Sequence, residues 1–441
     1  MSNERSGFSS RLGFVLATAG SAVGLGNIWR FPYLAAKYGG GTFLLTYLIL
    51  TLTFGFSLMI TEVALGRKAG TSAIRAFGHF SKKHTFIGYL TTIIPFIIFP
   101  YYCVIGGWVT KYALISLQGG IHNAASDTFF TGFISKSAEP MICVLVFLIA
   151  TTVVVAGGVK GGVERVSTIM MPVLIVLLIG VSLFCITRPG AMAGVAYYLK
   201  PSLKGFGPTT ILAALGQLFY SMSLAMGIMI TFGSYMPKKA DLEKSVTQVE
   251  IFDTGVAFLA GLMIVPAVFV FSNGDSSMLA KGPSLMFVML PKVFDSMAFS
   301  SVIAALTSSI SLLETLVAVL MDKFHMKRGT ACITMFIIAL LLAVPSSLGF
   351  GAWSNITILG FDFLDFFDFI SNSVLMPIAA FLTCLFVGYI IKPKVIVDEV
   401  ESSGEFKRKS LFLIMVKYIA PICIVAILVF SVLEGLGFIT V

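Results

Sequence analysis

What most restricts this chain is a series of charge-free apolar runs, repeated along almost all of its 441 residues. About 20 apolar residues in a helix cross the roughly 30 Å hydrocarbon layer of a bilayer, and a backbone in lipid must satisfy its own hydrogen bonds. Such runs lie near 12–36, 41–66, 86–116, 139–158 and 166–187, then near 205–236, 242–271, 297–321, 330–345, 369–391 and 410–433, eleven in all. A composition that is 57% hydrophobic and 12% charged, with a mean hydropathy of +0.97, excludes an ordinary soluble domain. The expected fold class is an all-α integral membrane protein with eleven transmembrane helices. No small-residue cleavage site precedes the first run, which reads as a retained helix and not a signal peptide.

Lys and Arg stay on the cytoplasmic side of a membrane because moving them across is unfavourable. With the N-terminus inside, 20 of the 30 fall in inner segments and seven in outer ones, leaving Arg30, Lys111 and Lys417 within runs. This bias predicts a multi-pass protein of the cell (inner) membrane, N-terminus cytoplasmic and C-terminus extracellular or periplasmic. The net charge of +9 then reports topology, with no nucleic-acid motif beside it. All six cysteines lie in or at the edge of runs without metal-ligand spacing, so they read as packing residues. The triplet Asn355-Ile356-Thr357, a chance match to a glycosylation acceptor, lies in an outer loop.

Two runs are irregular. Residues 19–32, AGSAVGLGNIWRFP, gather Gly20, Gly24 and Gly26 beside Ser21 and Asn27, and each glycine weakens a helix by about 1 kcal/mol relative to alanine. The sixth run is uncharged from Gly205 to Pro237 and carries GQLFYSMSLAMG at its centre, too long for one straight crossing. One such helix would mean only close packing. Two of them open two five-run halves, 11–187 and 205–391, and paired interrupted helices in an inverted repeat point to a binding site between them. The remaining segments are an N-terminal stretch at 1–10, an outer loop at 188–204, an inner loop at 392–409 and an eleventh helix at 410–434.

With RLGFVLATAGSAVGLGNIWRFPYLAAKYGGG at 11–41, EVALGR at 62–67, YY at 101–102, GQLFYSMSLAMG at 216–227 and LTSSIS at 306–311, the chain resembles the neurotransmitter:sodium symporters with the LeuT-type fold over essentially its whole length. The eleven runs and short loops resemble the bacterial branch that carries hydrophobic and aromatic amino acids. The resemblance implies a 5+5 inverted repeat plus one extra helix, with helices 1 and 6 unwound at mid-membrane, and two Na+ ions as cofactors. The first sodium would be held by Ala22, Asn27, Ser221 and Asp253, the second by Gly20, Val23, Ala304, Thr307 and Ser308. All offer oxygen, as a hard cation needs. Many relatives have Asn where this chain has Asp253, and a carboxylate at membrane depth is a functional residue by default. It would supply the charge that an anion provides in chloride-dependent relatives, making transport chloride-independent. Gly162 and Pro172 resemble a device that unwinds the fifth helix.

The resemblance further implies substrate contacts from Ser21, Ala22, Leu25, Gly26, Ile98, Tyr102, Tyr220, Ser221, Ser223, Met226, Ser308 and Leu312. Backbone N–H groups at the first break suit a carboxylate. Gly24 stands where monoamine carriers place Asp, so an L-amino acid is the expected substrate. Tyr220 and Met226 replace common phenylalanines. The outer gate would pair Arg30 with Asp368, or else Asp365, and the inner one Arg5 with Asp322. Phe8, where relatives often have Trp, would give a looser inner lid. Glu62 and Glu314 would hold unwound backbone and the Tyr235 region. The expected partners are the amino acid and the lipid bilayer, as a monomer or weak homodimer. A proton-coupled carrier of the same fold and an amino-acid-binding membrane sensor are the alternatives. Nothing combines a nucleophile, a base and a metal as an enzyme requires.

Overall fold

The computed structural model describes residues 7–118, 127–202, 206–271, 297–435 and 438. The helices are α1 (Arg11–Ala22), α2 (Gly26–Lys37), α3 (Gly41–Ala69), α4 (Ala73–Phe80), α5 (Lys82–Leu117), α6 (Asp127–Ile134), α7 (Ala138–Ala156), α8 (Val159–Ile186) and α9 (Ala191–Leu199). They continue as α10 (Pro208–Ser221), α11 (Ile228–Tyr235), α12 (Leu242–Phe271), α13 (Met297–Phe324), α14 (Arg328–Leu348), α15 (Phe363–Ile390), α16 (Lys394–Glu401) and α17 (Lys409–Gly435). Among the described residues there is no strand, only an isolated bridge between Ile358 and Phe361. Nine of these helices are long and apolar enough to cross a membrane, and α1 with α2, bent by 63°, makes a tenth candidate. The sixth run appears as α10 and α11, two short helices around a non-helical stretch. The loops expected at 188–204 and 392–409 each contain a short helix, α9 and α16.

Burial separates a centre from a rim. The apolar window of α13 is 83% buried within the protein and that of α8 only 33%, so α13 is a core element and α8 a peripheral one. On α8, Ile169, Val173, Val176, Ile179 and Leu183 are exposed at helical spacing, as are Ile333, Ile337 and Leu341 on α14. Apolar side chains so arranged on a chain of this composition suit a hydrocarbon surrounding. Inside that rim α1 packs on α8, α12 and α13, and α11 packs on α3. The α3–α11 contact depends on two glycines: a Cβ on Gly66 would overlap the Ile230 carbonyl, and one on Gly233 the Val63 carbonyl. Small residues at such a crossing let two backbones touch.

Both irregular runs break where small residues cluster. Helix α1 stops at Ala22, Val23 turns extended (φ −74°, ψ 98°), and the chain restarts as α2 at Gly26. Between α10 and α11, Ser223 (φ 52°) and Ala225 (φ 62°) adopt left-handed conformations, which cost an L-residue roughly 1–2 kcal/mol each. Long-range contacts offset that cost. The Ala225 N–H donates to Glu62 Oε1 at 2.7 Å, and the Ser223 hydroxyl donates to the Ser21 carbonyl at 3.0 Å. The two breaks therefore brace each other, with α3 behind them.

Candidate functional site

Every residue expected to touch substrate lines one cavity of about 30 Å³ between the two breaks, where Gly24, Asn27 and Ile228 join them. The space is about enough for two water molecules. Its walls divide by chemistry. Ile98, Met226 and Leu312 form an apolar end, while Ser21, Ser221, Ser223 and Ser308 supply hydroxyls. The buried Tyr102 hydroxyl faces the cavity beside Ser308 and the Leu25 backbone, a donor and acceptor placed where a polar atom would enter. Glycine is required at both ends of the first break. A Cβ on Gly24 would come within 2.5 Å of Ser308 Oγ, and one on Gly26 within 2.6 Å of the Tyr220 ring.

Beside this cavity Asp253 is fully buried. Its carboxylate accepts from Asn27 Nδ2 at 2.7 Å, from Ser221 Oγ at 2.9 Å and from the Tyr47 hydroxyl at 3.2 Å. The Asn27 side-chain oxygen accepts from Gly24 N–H at 3.1 Å. That bond takes the N–H which would otherwise continue α1, and it leaves the Gly20 carbonyl at the helix end free to face another group. At the second expected ion position the Ser308 hydroxyl donates across to the Val23 and Ser21 carbonyls, both at 3.2 Å. The Thr307 hydroxyl turns back onto its own helix, to Ile303 at 3.1 Å and Ala304 at 3.2 Å. Gly20 lies against Thr307 and against Met171 of α8. The structure thus gathers the named residues in two oxygen-rich clusters on either side of the first break.

Known proteins match this arrangement along nearly its whole length. Residues 5–132 and 130–436 match the model of the sodium:neurotransmitter symporter family. The chain belongs to that family. It is 35% identical over 438 residues to the uncharacterized sodium-dependent transporter YhdH of Bacillus subtilis (strain 168), covering 95% of this chain and 96% of the relative. It is 34% identical to an uncharacterized sodium-dependent transporter of Haemophilus influenzae, covering 97% and 98%. Among solved structures, MhsT in complex with L-phenylalanine superposes with a TM-score of 0.88 at 38% identity, covering 97% of this chain and all of that one. The protein is a sodium-coupled transporter with the LeuT-type fold, multi-pass in the membrane, and not an enzyme.

Within this symporter the expected gates are unequal. Arg30, Asp365 and Asp368 line a common vestibule of about 540 Å³, but among the described residues no ion pair joins Arg30 to either acid. The guanidinium lies instead 5.1 Å from the centre of the Tyr220 ring, a cation–π contact. Asp368 accepts from the Tyr101 hydroxyl at 3.1 Å and from Asn372 at 2.5 Å. Tyr220 borders both the vestibule and the small cavity, so its ring is the wall between them. Of the inner gate, Arg5 lies outside the described residues. Asp322 accepts from the backbone N–H of Ser72 at 2.7 Å and from its hydroxyl at 2.5 Å.

Phe8 is buried and edge-on to Phe14, Phe232 and Tyr235, while its N–H donates to the Tyr235 carbonyl at 3.0 Å. This lid is packed shut. Glu314 accepts from the Tyr235 hydroxyl at 2.9 Å and pairs through both oxygens with Arg328 at 2.7 and 2.8 Å. Gly162 sits in a π-helical turn, Val159–Glu164, where a Cβ would overlap the Val154 carbonyl. A close backbone approach thus accounts for that glycine locally, and Pro172 lies inside α8 beyond it.

Three site residues escaped the sequence, among them Ile228 in the cavity wall. Tyr47 reaches Asp253, and Gln217 donates from Nε2 to the Gly26 carbonyl at 2.9 Å. The one amide in the apolar stretch 205–237 was a usable signal for Gln217. Tyr47, in LLTYLIL, carried none.

Proposed function

We propose that this symporter carries an L-amino acid with an apolar or aromatic side chain into the cell, together with two Na+ ions, without needing chloride. The observation that carries the reading is the cavity between the breaks, polar at the backbone ends and apolar opposite. The substrate carboxylate would lie at the start of α2, where a helix presents N–H groups without intrahelical partners, within reach of the Tyr102 hydroxyl that lines the cavity. Its side chain would enter the space among Ile98, Met226 and Leu312. The first sodium would take oxygens from Ala22, Asn27, Ser221 and Asp253, the Asn27 amide turning to present its oxygen. The second would bridge Gly20 and Val23 to Ala304, Thr307 and Ser308. Asp253, a carboxylate in that first set, supports chloride independence. The phenylalanine bound to MhsT supports an amino-acid substrate.

The cavity as it stands is too small for an amino acid, so entry requires the Tyr220 ring to move out of the 540 Å³ vestibule wall. Loss of the second sodium would loosen α1 from α13, with Gly162 and Pro172 allowing α8 to yield. Counting α1–α2 and α10–α11 as one interrupted span each gives eleven, and the basic residues on the face that carries Phe8, among them Arg67, Lys68 and Lys238, support a cytoplasmic N-terminus. The gradient is sufficient: two charges moved through about 100 mV release roughly 4.6 kcal/mol, about a thousandfold accumulation of a net-neutral zwitterion.

Radiolabelled uptake of an amino-acid panel into proteoliposomes tests this. The expected result is accumulation of apolar or aromatic substrates that stops when potassium replaces sodium and persists when gluconate replaces chloride. Uptake that follows a proton gradient in sodium-free buffer would make the protein a proton-coupled carrier, and binding without accumulation would make it a sensor.

A further inference from the structure

Two stretches of the chain carry bases without acids. Between Glu62 and Asp127, and again between Asp322 and Asp362, the sequence holds no Asp or Glu. The fold brings the two stretches together where α4 packs on α13. Arg75, Lys82, Lys83, Lys323, His325 and Lys327, all exposed, come from these elements and the turns that join them. Arg75 Nη2 lies 3.5 Å from His325 Nε2, just past the end of α13. Lys323 donates to the Tyr89 hydroxyl of α5, and its ammonium stands 5.0 Å from the centre of that ring. The acids of α13 are engaged elsewhere: Glu314 forks onto Arg328, and Asp322 accepts from the Ser72 N–H and hydroxyl.

An apolar strip adjoins these cations. Phe86, Tyr89 and Ile93 of α5 are 52%, 46% and 47% exposed, and Phe324 at the end of α13 is 63% exposed. Lys82, Phe86, Tyr89 and Ile93 follow one another at helical spacing, so they share a face of α5. From Lys82 to Tyr89 is two turns, about 10 Å along the axis, and Lys323 joins that face at Tyr89. The surface thus sets ammonium groups at one end of an aromatic and aliphatic strip. A soluble anion would leave the strip uncovered, and an uncharged lipid would leave the cations without a counterion. An anionic phospholipid satisfies both, and Tyr89, with an apolar ring and a polar hydroxyl, suits the boundary between headgroup and chain.

We propose that this patch binds one anionic phospholipid, its phosphate among Lys82, Lys83 and Lys323 and an acyl chain along Phe86 and Ile93. The lipid joins α5 to the end of α13, where Lys323 and Tyr89 already meet. Basic groups at the end of a membrane helix attract such headgroups, and here the apolar strip fixes where the chain lies. The site requires neither sodium nor substrate, so it stands apart from the reading of the central cavity.

Native mass spectrometry of the purified protein tests this, with phosphatidylglycerol or phosphatidylcholine of the same acyl chains added to the detergent. The wild type is expected to retain one phosphatidylglycerol at about a tenth of the concentration that phosphatidylcholine needs. In K82Q/K83Q/K323Q that preference is expected to fall to within twofold. A second triple, K160Q/K394Q/K407Q, removes three exposed lysines from elsewhere and is expected to keep it. F86S, with every charge in place, is expected to weaken retention about threefold. Glycerol 3-phosphate, a headgroup without chains, is expected to displace nothing. Equal retention of the two lipids by the wild type overturns the inference, and so does an equal loss in both triples, which would mean general charge attraction. Displacement by glycerol 3-phosphate, or an F86S variant indistinguishable from wild type, would make the occupant a soluble phosphate and overturn it also. Should the first triple fail to fold, K82Q/K83Q, which leaves the Tyr89 contact intact, carries the decision with an expected loss of at least threefold.

Discussion

The two faces of the bundle are built differently. On the face that carries the N-terminal segment, charges are paired and buried: Arg328 forks onto Glu314, and Arg67, with a fully buried side chain, donates to Glu399 Oε1 at 2.8 Å and to the Ala240 carbonyl at 2.9 Å. Glu164 accepts from the Ser9 N–H at 2.8 Å and from its hydroxyl, and Phe8 closes an aromatic cluster over the base of α1. On the opposite face Arg30, Asp365 and Asp368 border a vestibule of about 540 Å³, and among the described residues no ion pair joins them. One face is sealed, and the other reaches the central cavity through a single aromatic ring. The geometry is that of a transporter whose central cavity is closed toward the vestibule by the Tyr220 ring. A buried pair is strongly destabilising to break from one side, whereas a partly exposed charge without an ion pair is cheaper to displace, so the difference makes the vestibule face the easier one to move.

Four substitutions break or sharpen this contrast. The largest effect is expected from Arg328→Ala, which leaves Glu314 buried without its cation at a cost of about 3–5 kcal/mol. Melting of the purified variant should fall sharply, with cysteine probes near Tyr235 becoming reactive. Wild-type melting would show that the pair does not seal this face. Phe8→Ala removes a buried ring, worth about 3 kcal/mol in a rigid core and less at a chain end. It should raise labelling on the same face while sparing the vestibule, and equal labelling of both faces would mean general loosening. Tyr220→Ala joins the cavity to the vestibule, and the concentration of amino acid for half-maximal uptake is expected to rise about tenfold, about 1.4 kcal/mol; unchanged uptake would remove Tyr220 as the wall. The smallest effect is on stability in Arg30→Ala, about 1 kcal/mol, because a cation–π contact but no ion pair is lost. A drop comparable to that of Arg328→Ala would erase the contrast between the faces.

Local pattern carried much of this. The apolar runs were readable as helices because a helix in lipid satisfies its backbone within its own segment, and glycine with small polar residues marked both breaks. The residues around the cavity were readable through motifs at 11–41, 101–102, 216–227 and 306–311. Arg30 shows where that reading stopped. The motif named the residue and an acidic partner, but placement over Tyr220 depends on how far apart α2 and α15 stand, a property of the packed bundle.

Taken alone, the amino-acid order determined a membrane-spanning helical chain, the positions of its interruptions and the family to which it belongs, since each is written in contiguous residues. Tertiary structure decided that Ser223 and Ala225 take left-handed backbone, that Tyr47 and Gln217 serve the site, and that the loop guanidinium of Arg408 meets Glu250. Those partners lie far apart along the chain, 158 residues for Arg408 and Glu250 and 332 for Arg67 and Glu399. A buried charge has no local preference to announce its counterion, and only the closing of the bundle, which excludes water from both groups, makes one choice far better than the rest.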